Sequence, residues 1–399
     1  MRVLCASILR PAARSGVTTY YKMLSDNFFR DSTINFVLVT GWDVLKVWKW
    51  LAGLIRRIGY LVSFGNSQRQ AAAEAAKYRL LLYFAFSKYR RNSFDLVHAQ
   101  DIISAVAARK YFGKKMPVIL SCHFNESPVT EEMILFGHLP EKWDAVAGKY
   151  RKWFSVPDCF HFVSEYAFQK SQFLIPPQRA LWIIPNGVTF GEFPEKEMVS
   201  YQIGDRPFVI INVGYLDERK NQQALLELAK DLVLLGFCHF KIILVGEGPQ
   251  MNQIRLRAAD LGVEQYVSFT GWAGPDKIFE LLSQTDIYVH TALNDNCPYA
   301  VLEAISQGVP VLGFGVGGLP EILDSKWLFT VNDCQAIAAF ILKNMQDFRV
   351  IAEAQFKKAM IRFSIDKQLE DTRTMYRDLI NPAGYLSGNV SSSALSSVS

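Results

Sequence analysis

The sequence predicts an α/β protein with two doubly wound parallel-sheet domains, and three observations predict it. Short β-branched runs without polar alternation recur along the chain, as in strands buried on both faces. Helix-length segments separate these runs. The rhythm runs twice, broken near the middle by a stretch rich in charge, proline and glycine. The 399 residues are 50% hydrophobic and 20% charged, an ordinary globular composition and enough chain for two or three domains. A core of that size needs no disulfide or metal staple.

In the first half RVLCASI, INFVLVT, FDLVHA, PVILSCH and CFHFVS read as strands. In the second half FVIINVG, FKIILVG, VSFTG, DIYVH and VPVLGFG do, with NQQALLELAKDLVLLG and GPQMNQIRLRAADLG as helices between them. The first domain is thereby placed at 1–195 and the second at 205–365, with the seam between Gly187 and Phe208. A last helix, about Asp366 to Leu379, is expected to cross the seam and pack back on the first domain. The Ser-rich end, 381–399, reads as a disordered tail. The start, MRVLCASILRPAARSG, has a basic residue and an apolar run at the short end for a signal peptide. It reads as the first strand. No segment reaches the roughly 18 uninterrupted apolar residues of a spanning helix.

The net charge of +5 is too mild and too dispersed for a nucleic-acid binder. The six cysteines stand singly, with no CxxC pair. They read as buried free thiols of a reducing, cytoplasmic compartment. No histidine falls at ligand spacing with a cysteine, so no metal site is expected. One segment leaves the βα rhythm. VLKVWKWLAGLIRRIGYLVSF, at 44–64, mixes bulky apolar residues with Lys46, Lys49, Arg56 and Arg57, and YRLLLYFAFSKYRR follows at 78–91. Two readings stand: helices lying in a membrane interface, or core-facing helices whose basic side chains snorkel. Trp48 and Trp50 beside Lys49 favour the first, because aromatic and basic residues share the headgroup zone.

Open parallel sheets bind ligands beyond the carboxyl ends of their strands. The loop RPAARSG puts Gly16 at a helix start, where backbone N–H groups can approach an anion. An ordinary βα turn accounts for it equally. GYLDERKN sets Arg219 and Lys220 between a strand and a helix, where cations oppose the helix dipole unless an anion sits with them. A solvated turn is the plainer account. In HTALNDNCPYAVLEAISQG, Asn294, Asp295 or Asn296 is expected to cap the next helix, with Pro298 in its first turn. Glu303 follows Asn296 by seven residues, two helical turns, so the two are expected on one side. With no basic residue three or four positions away, Glu303 suits hydrogen bonding to a diol.

Taken together, VGYLDERKN, VGEGP, VSFTGW and NCPYAVLEAISQGVPVLGFGVGGLPEIL, with FVSEYA and IIPNGV near the seam, resemble the retaining glycosyltransferases of family 4 over nearly the whole chain. The resemblance implies the GT-B fold, two facing Rossmann-like domains with an interdomain cleft. It implies a nucleotide-diphosphate-sugar donor held mainly by the second domain. By the same resemblance Glu303 binds the ribose and Lys220 the diphosphate, with neighbouring Arg219 a donor-binding candidate that could stand in for the family's arginine. The amides around Pro298, Tyr299 and Ala300 approach the phosphate and sugar. Gly246 belongs to the VGEGP turn, Trp272 lies where the base is held, Gly16 lies near the diphosphate, and His123 faces the donor sugar. His123, Lys220 and Glu303 are the candidate catalytic residues. Two positions depart from the pattern. Asn296 stands where a second glutamate is common, and Tyr215 where an arginine is.

The implied reaction is glycosyl transfer with retention, to a glycan or lipid-linked acceptor, in cell-surface polysaccharide or glycoconjugate synthesis. Lys220, Arg219 and helix-start amides would stabilise the departing diphosphate with no metal or other cofactor. The location implied is cytoplasmic, peripheral on the inner face of a membrane. Two alternatives stay open: a sugar-nucleotide epimerase or phosphorylase of the same fold, and a sugar-nucleotide-binding subunit without catalysis, which Asn296 and Tyr215 would favour. A nicotinamide dehydrogenase is remote, because no GxGxxG follows the first strand.

Overall fold

In the computed structural model, which describes residues 1–31, 33–90, 93–194 and 206–381, twelve strands form two all-parallel sheets. The first comprises β1 (Arg2–Ser7), β2 (Asn35–Thr40), β3 (Leu96–Ala99), β4 (Val118–Cys122), β5 (Cys159–Phe162) and β6 (Ala180–Ile183), in the order β2-β1-β3-β4-β5-β6. The second comprises β7 (Phe208–Val213), β8 (Phe240–Val245), β9 (Val267–Gly271), β10 (Ile287–His290), β11 (Val311–Phe314) and β12 (Leu328–Phe329), in the order β12-β11-β10-β7-β8-β9. Every residue of β3, β4, β5, β10 and β11 is buried. Their unalternating apolar sequence follows from helices covering both faces.

Two compact units result: Met1–Ile184 with the chain from Leu369 onward, and Pro185–Gln368. The expected seam at 187–208 lies partly in 195–205, outside the described residues, as does the expected tail from 382. The last helix runs Ile365–Ile380. From Leu369 its residues count with the first unit.

Each sheet has a switch point, where neighbouring strands send their loops to opposite faces. In the first sheet it lies between β1 and β3, and in the second between β7 and β10. At the first, the Asp101 carboxylate accepts from the Ile8 amide (2.9 Å), the Ser104 amide (2.8 Å) and the Ser104 hydroxyl (2.8 Å). One N-cap thereby ties a helix start to the end of β1.

The segment at 44–64 forms the helix Lys46–Leu61, in which only Ala52 is buried. It packs through Trp48, stacked on Phe84 at 3.6 Å between ring centroids, and through Gly59, where a side chain would meet Ala73. The run at 78–91 is different. It closes the helix Ser67–Phe86, and Leu81, Leu82, Ala85 and Phe86 are buried in the first core. Those four apolar residues are core, which corrects the membrane reading for them; Arg91 lies outside the described residues. Among the described residues no helix is long and apolar enough to cross a membrane.

Candidate functional site

The loops leaving β11, β10, β7, β8 and β9 meet backbone to backbone along the carboxyl edge of the second sheet. The Gly214 amide donates to Val245 O (2.9 Å), the Leu216 amide to Glu247 O (2.9 Å) and the Gly246 amide to Gly271 O (2.8 Å). On the other side of the switch point the Gly318 amide donates to Asp295 O (2.7 Å). Two glycines are required by this closeness. Gly246 sits at φ +145°, and any Cβ there would collide with the Gly214 carbonyl oxygen. A Cβ on Gly318 would collide with the Asn296 carbonyl oxygen.

Asp295, from the β10 loop, organises the charges. It forms an ion pair with Lys220, with Arg219 Nη1 at 3.9 Å and His290 Nε2 at 3.5 Å. Arg219 also donates to Asn294 O (3.0 Å), and the Leu293 amide to Arg219 O (2.8 Å). Burial would raise the Asp295 carboxyl, but Lys220 and His290 outweigh it and hold the group well below the usual carboxylate range. Burial lowers His290, leaving it neutral at pH 7. Two cations therefore share one ionised carboxylate, and the cluster keeps a net positive charge. The anion expected between Arg219 and Lys220 is supplied by the chain itself.

The expected N-cap is corrected. Pro298, in extended conformation, is the N-cap of the helix Tyr299–Ser306, and as a proline it has no side-chain acceptor to offer the first turn. Asp295 cannot cap because Lys220 holds its carboxylate, and Asn296 is buried beneath the Gly318 turn. Asn296 therefore precedes the helix, and its spacing to Glu303 is not two helical turns. Glu303 stands half-buried on that helix. Burial raises its carboxyl. No side-chain hydrogen bond or ion pair engages it among the described residues.

Trp272, half exposed, follows Gly271 at the end of β9. Arg219, Lys220, Gly246, Asn296, Pro298, Tyr299, Ala300 and Glu303 thus share one sheet edge with it, while Tyr215 is exposed. Three residues there were not among the site candidates of the sequence. Asp295 was considered only as a cap, His290 only as a strand end, and Asn186 of IIPNGV donates from Nδ2 to Cys297 O (2.7 Å). The local sequence could not show the roles of Asp295 and Asn186, because their partners Lys220 and Cys297 lie 75 and 111 residues away.

Gly16 and His123 belong to the first unit. Gly16 is the first residue of the helix Gly16–Phe29, under a capping box of Ser15 and Thr18. Its φ is not among the positive ones, so the loop does not need a glycine for its backbone angle. His123 follows β4. Its Nε2 lies 3.0 Å from Gln100 Oε1 and its ring is edge-on to Tyr20. Burial and nearby His161 lower it to about 3, so it is neutral at pH 7.

Beneath His123 runs a buried polar chain that the sequence did not reveal. His161 Nε2 donates to Ile184 O (2.9 Å), so its Nδ1 accepts, here from Ser121 Oγ (2.7 Å). Ser121 Oγ then accepts from His98 Nε2 (2.6 Å), and His98 Nδ1 accepts from the Tyr376 hydroxyl (2.7 Å). One terminal carbonyl sets both tautomers. Burial lowers His98 well below 6.5 and His161 to about 4. A histidine lowered on folding binds its proton only in the unfolded chain at mildly acid pH. Stability is therefore complete above about 6.5 and falls as pH drops towards 4. His161 alone is expected to cost about 2 kcal/mol at pH 5. Urea midpoints at pH 7 and pH 5 measure this, and equal midpoints would refute it.

Two family models match the chain: Glycosyltransferase Family 4 over residues 60–190 and Glycosyl transferases group 1 over residues 194–361. A similar curated protein is N-acetyl-alpha-D-glucosaminyl L-malate synthase of Bacillus anthracis, 22% identical over 73% of this chain and 76% of its own. UDP-Gal:alpha-D-GlcNAc-diphosphoundecaprenol alpha-1,3-galactosyltransferase of Escherichia coli is 24% identical over 50% of this chain and 54% of its own. Other curated relatives are matched over 34–50% of their length. Among solved structures, sucrose-phosphate synthase from Thermosynechococcus elongatus superposes with a TM-score of 0.70 at 15% identity, covering 96% of this chain and 100% of that one. Anabaena Alr3699/HepE in complex with UDP-glucose superposes with a TM-score of 0.66 at 17% identity, covering 94% and 100%. With two parallel-sheet α/β domains of the GT-B type and family matches over both, the chain belongs to glycosyltransferase family 4.

Proposed function

We propose that the chain moves a sugar from a nucleotide-diphosphate-sugar donor to a glycan or lipid-linked acceptor, retaining the anomeric configuration. The work is placed in the cytoplasm, peripheral to a membrane. The observation that carries the reading is the clustering of Lys220 and Arg219 on Asp295, beside the start of the helix Tyr299–Ser306 and the carboxylate of Glu303, which no side-chain hydrogen bond or ion pair engages among the described residues. Cations and N–H groups suit a diphosphate. A carboxylate without a protein partner suits the vicinal hydroxyls of a ribose. As the donor C–O bond breaks, charge grows on the departing diphosphate, and Lys220 and Arg219 stabilise it with no metal. The parts of Gly16 and His123 rest on the family pattern. Anabaena Alr3699/HepE has been crystallised with UDP and with UDP-glucose, which makes a UDP-sugar the first donor to try.

A thermal-shift screen over nucleotide sugars tests the donor. A ligand at a hundred times its dissociation constant adds about 2.7 kcal/mol of stability. Glu303→Ala is expected to lower transfer at least ten-fold, about 1.4 kcal/mol, with the donor KM rising. Unchanged turnover in a folded variant would remove Glu303 from the site. Donor binding without transfer or hydrolysis in the wild type would favour the non-catalytic subunit to which Asn296 and Tyr215 point.

A further inference from the structure

We propose that the helix Lys46–Leu61 seats the first unit on an anionic lipid surface, and that the apolar pocket beside its end receives one lipid chain. The first observation is a stripe. Val47, Trp50, Leu54, Ile58 and Leu61 recur at helical spacing and are all exposed, Trp50 at 67% and Leu61 at 76%. Only Ala52 of this helix is buried, and the stripe continues into Val62 and Phe64, the latter 89% exposed. A helix that turns its apolar side to water has that side unpartnered.

Charge selects the partner. Residues 44–73 contain Lys46, Lys49, Arg56, Arg57 and Arg69 and no acidic residue. Among the described residues the nearest carboxylate to engage them is Glu74, 3.8 Å from Arg56. A basic helix with an outward apolar stripe fits the boundary between anionic headgroups and acyl chains. A protein partner would have to cover both the stripe and the flanking charge.

The pocket supplies the second observation. Met133, Ile134, Pro140 and Trp143 line an open apolar cavity of about 560 Å³ with His138. Ile134 of its lining is exposed, as are Leu135 and Leu139, its neighbours along the chain. The segments that carry the pocket and the stripe touch. His138 Nδ1 lies 2.5 Å from Ser67 Oγ, and Ser67 starts the helix that follows Phe64. Apolar surface at the stripe's end and at the pocket rim therefore sits on two segments that touch. Such a cavity suits a hydrocarbon chain drawn from the same surface that the stripe enters.

The proposal deepens the peripheral-membrane part of the function above. Its test reads vesicle binding, so it can fail while the transferase assay stands. Flotation with phosphatidylcholine vesicles, with and without phosphatidylglycerol, is the first measurement. Binding is expected only to the anionic vesicles, weakening with salt. The exposed pair Trp50→Glu with Ile58→Glu is expected to lower it at least about ten-fold with the fold and soluble-acceptor transfer unchanged. Lipids brominated in the chain then test depth. The fluorescence lost in Trp50→Phe and that lost in Trp143→Phe should both be quenched. Quenching of Trp50 alone would overturn the pocket. Equal binding to neutral vesicles would overturn the charge selection. No vesicle binding at low salt, or a dimer that the Glu pair dissociates, would overturn the whole.

Discussion

Replacing Lys220 by alanine is expected to lower transfer about 10²–10³-fold at saturating donor, about 2.7–4 kcal/mol, the range for removing one preorganised charge-stabilising donor. Two effects add. On the mechanism proposed above the departing diphosphate loses its ammonium, and Asp295 loses the cation that outweighs its burial. Arg219, at 3.9 Å, and neutral His290 are then the groups left facing a buried carboxylate. The cluster's net positive charge disappears, so donor affinity falls as well. Lys220→Ala with Asp295→Ala separates the two effects. The double variant should regain stability lost in Lys220→Ala, because no buried charge is left unpaired, while transfer stays low. Steady-state kinetics and urea denaturation on the set measure both. Transfer within threefold of wild type in folded Lys220→Ala would refute the assignment.

Gly246→Ala and Gly318→Ala are expected to destabilise the second unit by about 1–3 kcal/mol or more each and to abolish the thermal shift by donor. A Cβ in either place meets a carbonyl oxygen of the neighbouring loop, which cannot rotate away as a side chain can. At Gly246 the backbone angle adds strain, since φ +145° is almost confined to glycine. The displaced loops are those carrying Tyr215 to Lys220 and Asp295 to Asn296. Gly53→Ala is the control of opposite sign. It lies in the helix Lys46–Leu61 with nothing within 4 Å and is expected to stabilise by about 0.5–1 kcal/mol. Calorimetry on the three variants decides. Wild-type stability in both loop variants would show that the sheet edge is not packed as described.

The strands were legible wherever burial was two-sided. FVIINVG, PVILSCH and DIYVH are continuous apolar runs because helices cover both faces. The two strands missed, β6 and β12, lie at sheet edges. ALWI is half-buried throughout, and Leu328–Phe329 is two residues long. Neither carries enough one-environment sequence to stand out. YRLLLYFAF was ambiguous for a related reason. A basic residue beside leucines reads alike on a membrane and on a core, and only the packing of Leu81, Leu82 and Phe86 decides.

By itself the sequence determined the two parallel α/β arrays, the family, and the positions of Lys220, Asn296 and Glu303 along it. Periodicity and motif order are local properties that survive without coordinates. Only the tertiary structure decided what Asp295 does. Its partner Lys220 lies 75 residues away, and a β7–β10 switch point is needed to bring the two loops together. The same holds for the Tyr376–His98–Ser121–His161 chain, which spans 278 residues between His98 and Tyr376. A hydrogen bond is satisfied by whatever the fold delivers within about 3 Å, and separation in sequence leaves no trace of it.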